Sequence, residues 1–191
     1  QLSYVLLGIG LLAPLVIEGV GTAYVAGIGG LLHIAMHAFS KITLFFAAGA
    51  IYVAAHKTKV SELDGIGRRM PITMTAFTIG ALSMIGLPPV AGAVSKWYLV
   101  DGAVGGAQYS VLVVIVISAL LNAAYFLPIV WRAFFKPYAP PPDEAVPVKE
   151  APWPCVLALS VTAVLSLALF FWPDVFVELA AAVASHPGEG P

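Results

Sequence analysis

Apolar residues fill this chain in runs of about twenty, separated by short stretches where polar residues, glycines and prolines gather. A helix rises about 1.5 Å per residue and a bilayer core is about 30 Å thick, so each run is long enough to cross a membrane. The first is Gln1–Val20, where Pro14 removes a backbone hydrogen bond and predicts a kink. Glu18 reads as the solvated end of that run, and Gly19, Gly21 and the small residues to Gly30 as the turn. A second run, about Gly27 to Ala55, ends in the polar loop His56–Met70, and Pro71 restarts the chain as a first-turn proline. The third, from Ile72, is too long for one straight crossing and is interrupted by Gly86, Pro88, Pro89 and Gly92. Adjacent prolines cannot continue an α-helix undistorted, which predicts a discontinuous helix, Ile72–Ile85 then Ala93–Val104. Tyr109–Phe135 and Trp153–Trp172 are the fourth and fifth runs, the latter bounded by tryptophans as at a membrane interface. Lys136–Pro152 between them is proline-rich and reads as an extended loop. The predicted fold is an all-α polytopic transmembrane bundle with one discontinuous helix over residues 1–172, then an interfacial segment, Asp174–Ser185, and a disordered tail, His186–Pro191.

Composition agrees with this pattern. Hydrophobic residues make up 60% of the chain and charged residues 10%, with a mean hydropathy of +0.96, against about 25% charged residues in soluble domains. The net charge of −1 gives no general attraction for nucleic acid. Cys155, the single cysteine, excludes an intrachain disulfide and reads as a small membrane-helix residue. With no phosphate loop, dinucleotide fingerprint or cysteine cluster, neither redox nor nucleotide chemistry is expected on this chain, and no cofactor. The sequence opens at Gln1, already apolar by Leu2 and without a leader pattern, so it is expected to be a fragment of a longer chain. Seven of the nine basic residues sit in two loops, Lys57, Lys59, Arg68 and Arg69 in one and Arg132, Lys136 and Lys149 around the other. If the discontinuous helix is one crossing, both loops fall on the same side, the cytoplasmic one by the positive-inside rule.

The other two basic residues, Lys41 and Lys96, lie within apolar runs. A lysine at the centre of a membrane helix costs about 2.5–3.5 kcal/mol on insertion scales, so each needs a reason. His33, His37 and Lys41 recur every four residues, which on a helix makes one polar stripe about 12 Å long. Histidine and a desolvated lysine can both load and release a proton near neutral pH, so the stripe suits proton passage. Other readings stand beside it: packing residues bonded to a carbonyl or carboxylate, or two histidines ligating a metal or haem, although no third ligand is at hand and Lys41 would repel a cation. Ser95 beside Lys96, and Ser118, Asn122 and Tyr125 on one face of the fourth run, are possible polar support or simply interhelical hydrogen-bonding groups. No catalytic residue, metal ligand or role for His56 and His186 is assigned.

At these residues the chain resembles the antiporter-like proton-translocating subunits shared by respiratory complex I, membrane-bound hydrogenases and Mrp-type monovalent cation/proton antiporters. The resemblance runs through His33-x-x-x-His37-Ala38-Phe39-x-Lys41, Leu44-Phe45-Phe46, Gly49, Met70-Pro71, Gly86-Leu87-Pro88-Pro89, Gly92 and Ser95-Lys96, with Gln1-Leu2-Ser3-Tyr4 and the Tyr125–Arg132 helix end also similar. It implies that His33, His37 and Lys41 belong to a central hydrophilic axis and that Lys96 is the titratable residue at the broken helix. It also implies partners that are other membrane subunits, with protons and either Na+ or K+ as the ions. The chain looks like the later of two inverted repeats plus a following helix, and departs in lacking the earlier repeat. Ser40 stands where a bulky apolar residue is usual, and Trp97 where a carboxylate often follows the lysine. The absence of a long lateral helix, together with lysine at position 96, points toward the D subunit of an Mrp-type antiporter in the bacterial inner membrane. The alternative is a proton-pumping subunit of NADH:quinone oxidoreductase or a membrane hydrogenase. The chain by itself is then a transporter subunit in the first case and part of a translocating enzyme in the second.

Overall fold

The computed structural model describes residues 2–17, 21–138 and 148–185, and within them every long element is a helix. In chain order these are α1 (Leu2–Ile17), α2 (Gly21–Ala55), α3 (Pro71–Ile85), α4 (Ala91–Gly105), α5 (Tyr109–Phe135), α6 (Trp153–Phe171) and α7 (Asp174–Ser185). Among the described residues, Tyr24–Ala55, Tyr109–Phe135 and Trp153–Phe171 are each long and apolar enough to cross a membrane. The all-α membrane fold read from the sequence is therefore what the chain adopts. The helix α1 runs through Pro14 without interruption. Glu18, the centre of the proline-rich loop and the tail from His186 lie outside the described residues.

The organising element is α2. At 35 residues it is about 52 Å long, and α1, α3, α4, α6 and α7 all pack on it. The helices α3 and α4 lie end to end along it, antiparallel. A Cβ added at Gly102 would fall 2.6 Å from the Ala26 nitrogen, and one at Gly29 would fall 2.8 Å from the Leu99 nitrogen. Further along, His33 bonds Ser95, Ser40 bonds Ser83 and Gly80 abuts Leu44. Numbers on α2 rise as those on α4 and then α3 fall. Each half, at 15 residues, is only about 22 Å long, so the broken pair together makes one traverse beside a helix that makes it alone.

The two basic loops meet at one end of the bundle. Arg132 on α5 grips Asp64 through Nε at 2.6 Å and Nη2 at 3.2 Å, and Lys136 reaches the same carboxylate at 3.5 Å. Gly65, at φ +69°, donates its N–H to the Arg132 carbonyl, and a side chain there would collide with Tyr138. The Arg132 guanidinium, hydrogen-bonded to Asp64, holds that carboxyl below its ordinary range. At the same end Glu150, near the end of the proline-rich loop, accepts the N–H groups of Ile72 and Thr73 and the Thr73 hydroxyl, at 2.6, 3.3 and 2.6 Å. It thus caps α3, whose own N-cap residue, Met70, offers no side-chain acceptor.

At the other end, α7 packs Ala180 and Ala184 against Ile28, Leu32 and Met36 of α2. Its Phe176 meets Phe39 edge to face at 6.4 Å between ring centres. The segment read from the sequence as interfacial is thus laid along α2, with Val175, Leu179 and Val183 facing out.

Candidate functional site

The break between α3 and α4 creates the chemistry of the site. Gly86, at φ +88°, ends α3 in the left-handed region that glycine adopts without steric cost. The N–H groups of Gly86 and Leu87 both turn back onto the Leu82 carbonyl. The carbonyls of Met84 and Ile85 lie in the last turn, and the residues four further on, Pro88 and Pro89, carry no N–H to donate to them. Lys96, one turn into α4, supplies one: Nζ donates to Ile85 O at 2.6 Å and to Met84 O at 3.1 Å. The lysine is 6% exposed. An ammonium there is favoured by the partial negative charge of a helix C-terminus, so no carboxylate is needed beside it.

The other half of the break is capped from the opposite direction. Val90 gives α4 no side-chain cap, yet the Gly92 N–H donates to Ser83 Oγ on α3 at 2.9 Å. Ser83 Oγ in turn lies against Ser40 Oγ on α2, and Ser40 Oγ is 2.7 Å from the Met36 carbonyl. Each hydroxyl has one proton, and a chain from Gly92 N–H to Ser83, Ser40 and Met36 O uses each once. Ser40 and Ser83 are 1% and 2% exposed, so this chain is sealed from solvent.

Around Lys96 the structure assembles His33, Ser95 and Tyr4. His33 Nδ1 and Ser95 Oγ share a 2.9 Å hydrogen bond whose direction follows the imidazole tautomer. The His37 ring stacks on His33 at 5.8 Å, inclined by 17°, and its buried Nδ1 has no hydrogen-bond partner among the described residues. Tyr4 of α1 lies 5.1 Å from the His33 ring and presents its face to the Lys96 ammonium, 4.8 Å from the ring centre. Tyr4 sits in an apolar run, and only the antiparallel pairing of α1 with α2 brings it here.

The structure thus gathers His33, His37, Ser95 and Lys96 with the break residues Pro88, Pro89 and Gly92, and it separates the rest. The stripe on α2 changes surroundings along its length: His33 is buried, His37 half-buried and Lys41 exposed, with no hydrogen bond or ion pair for Lys41 among the described residues. On α5, Asn122 turns back to its own helix at Ser118 O, 2.9 Å away, and Tyr125 is 65% exposed. Among the described residues no group of three or more His, Cys, Asp or Glu side chains is placed to hold a metal ion.

Known proteins resemble this chain in sequence and in fold. The family model for the NADH:quinone oxidoreductase/Mrp antiporter transmembrane region matches residues 7–122. The NADH-quinone oxidoreductase subunit N of Desulforudis audaxviator is 41% identical over 136 residues, 71% of this chain and 25% of that protein. The chain therefore spans about a quarter of that relative's length. Among solved structures, a chain of the Mrp complex from Dietzia sp. DQ12-45-1b superposes with a TM-score of 0.80 at 22% identity, over 95% of this chain and 40% of that one. A chain of respiratory complex I from Thermus thermophilus does so with a TM-score of 0.54 at 26% identity, over 94% and 44%.

Proposed function

We propose that this chain, which belongs to the NADH:quinone oxidoreductase/Mrp antiporter transmembrane family, is the part of a proton-translocating membrane subunit that carries a buried proton path, within a complex of several membrane subunits. Protons pass among His37, His33 and Lys96, and Lys41 is the outer station of the same stripe. The observation that carries this reading is the Lys96 ammonium held by Ile85 O and Met84 O beside the His33–Ser95 pair. Carbonyl dipoles hold that charge with no carboxylate bonded to it among the described residues, so a departing proton leaves no stranded carboxylate behind. His33 can receive or return a proton through Ser95 because their hydrogen bond reverses with the tautomer. Charge on Lys41 and charge on Lys96 repel through a poorly screening medium, so loading one favours release from the other.

Two driving forces fit such a path. One is exchange of protons for Na+ or K+, as in an Mrp-type antiporter; the shared fold is compatible with it. The other is a redox reaction on other chains, a reading favoured by the 41% identity to an NADH-quinone oxidoreductase subunit. We place the basic loops on the cytoplasmic side of a bacterial inner membrane, supported by their meeting at one end of the bundle through Asp64.

Inverted vesicles containing the intact complex test both points, with an acid-sensing dye inside. Lys96→Ala and Lys41→Ala are expected to abolish proton movement while the complex still assembles; parental transport in both variants would sink the reading. Loss of cation-induced proton release identifies an antiporter subunit, and loss of NADH-driven acidification a redox pump. In the same vesicles a membrane-impermeant maleimide should label Lys59→Cys; protection of that site would reverse the orientation.

A further inference from the structure

A buried ammonium needs an acceptor for each of its three N–H bonds. For Lys96 two directions go to Ile85 O and Met84 O. Among the described residues, the Tyr4 ring face, 4.8 Å from Nζ, is a third contact with negative character. Among the described residues, the groups that face Lys96 are His33 of α2, Tyr4 of α1 and the Met84 and Ile85 carbonyls of α3. The Tyr4 side chain is 4% exposed. Its hydroxyl approaches Ser118 without meeting the geometry of a hydrogen bond. The contacts of Tyr4 with Lys96 and His33 are made by its ring. That ring is held firmly, because α1 and α2 touch at glycines one turn away: a Cβ added at Gly8 would fall 2.5 Å from the Gly30 Cα.

We propose that Tyr4 is a positioning residue of the proton path, its ring face serving as the third acceptor for the Lys96 ammonium and keeping that amine beside His33. The inference rests on Lys96 being a proton carrier. A carbonyl accepts from a neutral amine as well as from an ammonium, whereas the electrostatic attraction of a ring face acts on the cation. Tyr4 thus adds a second preference for the loaded lysine to the one that the two carbonyl dipoles already give. Its contact with the His33 ring at 5.1 Å lets the same side chain fix both partners in the transfer.

The test is made on the intact complex in inverted vesicles, with position 4 carrying Phe, Leu, or phenylalanines bearing one, two or three ring fluorines. Fluorination withdraws charge from the ring face while nearly preserving its shape, so assembly is held constant across the series. Tyr4→Phe should transport at the parental rate. Transport should then fall stepwise with fluorination to a loss of roughly tenfold, the size expected of a desolvated cation–ring contact, and Tyr4→Leu should fall as far. A flat response across the fluorine series would overturn the proposal. So would a Tyr4→Phe rate as low as that of Tyr4→Leu, which would assign the role to the hydroxyl. Lys96→Ala run in parallel separates the two levels: activity there removes the proton-path reading itself, while inactivity with a flat fluorine series removes only Tyr4.

Discussion

The unbroken helix α2 and the broken pair α3–α4 traverse the same distance side by side, and they satisfy their backbones in different ways. Within α2 the backbone N–H groups and carbonyls pair along 35 residues, and Ser40 and Thr43 also bond carbonyls of their own helix, at Met36 and Phe39. Across the break, each half borrows its cap from the other: Lys96 of α4 closes the C-terminus of α3, and Ser83 of α3 closes the N-terminus of α4. The same two lysine-bearing elements therefore treat charge oppositely. Lys41, on the continuous helix, is exposed, whereas Lys96, at the discontinuity, is buried and bonded. An interruption in a membrane helix here provides polar groups with which a buried cation can be held, at the depth where water cannot hold it.

The comparison breaks most severely at Gly92. A Cβ there would lie 1.8 Å from the Ser83 carbonyl, a collision with backbone that no rotamer relieves. Gly92→Ala should separate the two halves, costing about 3 kcal/mol or more, and be seen as loss of assembled complex on native gels. Ser83→Ala is milder, because the halves stay in contact but the buried Gly92 N–H loses its acceptor. It should cost about 1–3 kcal/mol, read as a lower thermal midpoint of the detergent-solubilised complex, with Ser83→Thr retaining part of the bond. On the continuous helix the Thr43 hydroxyl bonds the Phe39 carbonyl and the Thr162 hydroxyl, each at 2.8 Å, so Thr43→Ala frees no backbone donor and should cost less, which sharpens the contrast.

The smallest effect lies at the basic end, away from the break. Asp64 is held below its ordinary carboxylate range by Arg132, so its charge favours the folded state. That contribution is present in full above the unfolded carboxylate pKa of about 3.9. It disappears as pH falls through the lower folded value. Asp64→Asn should therefore narrow the stability difference between neutral and acidic pH, with thermal midpoints measured across that range as the check.

Much of this arrangement is legible from the residues, and the remainder depends on contacts that only helix pairing creates. The ends of α2, α3 and α5 at Ala55, Ile85 and Phe135 coincide with polar or glycine-containing stretches visible in the sequence. The helix α4 starts at Ala91, two residues earlier than the sequence suggests, because Ser83 caps its first turn from another helix. The helix α2 starts at Gly21 instead of about Gly27, since Gly29 and Gly30 are helical contact points for α4 and α1 and not part of a turn. At the site, His33 and Lys96 stand out as polar residues in apolar runs. Which end of the histidine–lysine stripe is buried does not, because periodicity fixes a face and not what covers it. Ser40 and Ser83 are ordinary membrane-helix residues until they meet. Tyr4 was visible only as part of a similar motif, with no signal in its spacing to place it over Lys96.

Glu150 gives the fold an order in time. It accepts the Ile72 N–H from 78 residues further along the chain, so the first turn of α3 lacks this acceptor until α6 is about to be made. At synthesis rates of about 5–20 residues per second, that interval is roughly 4–16 s. During it, the broken helix can be inserted while its basic-end terminus is still uncapped and free to adjust. Emergence of the loop before α6 then locks the end of α3, so a residue of that loop fixes the position of a helix begun three helices before α6.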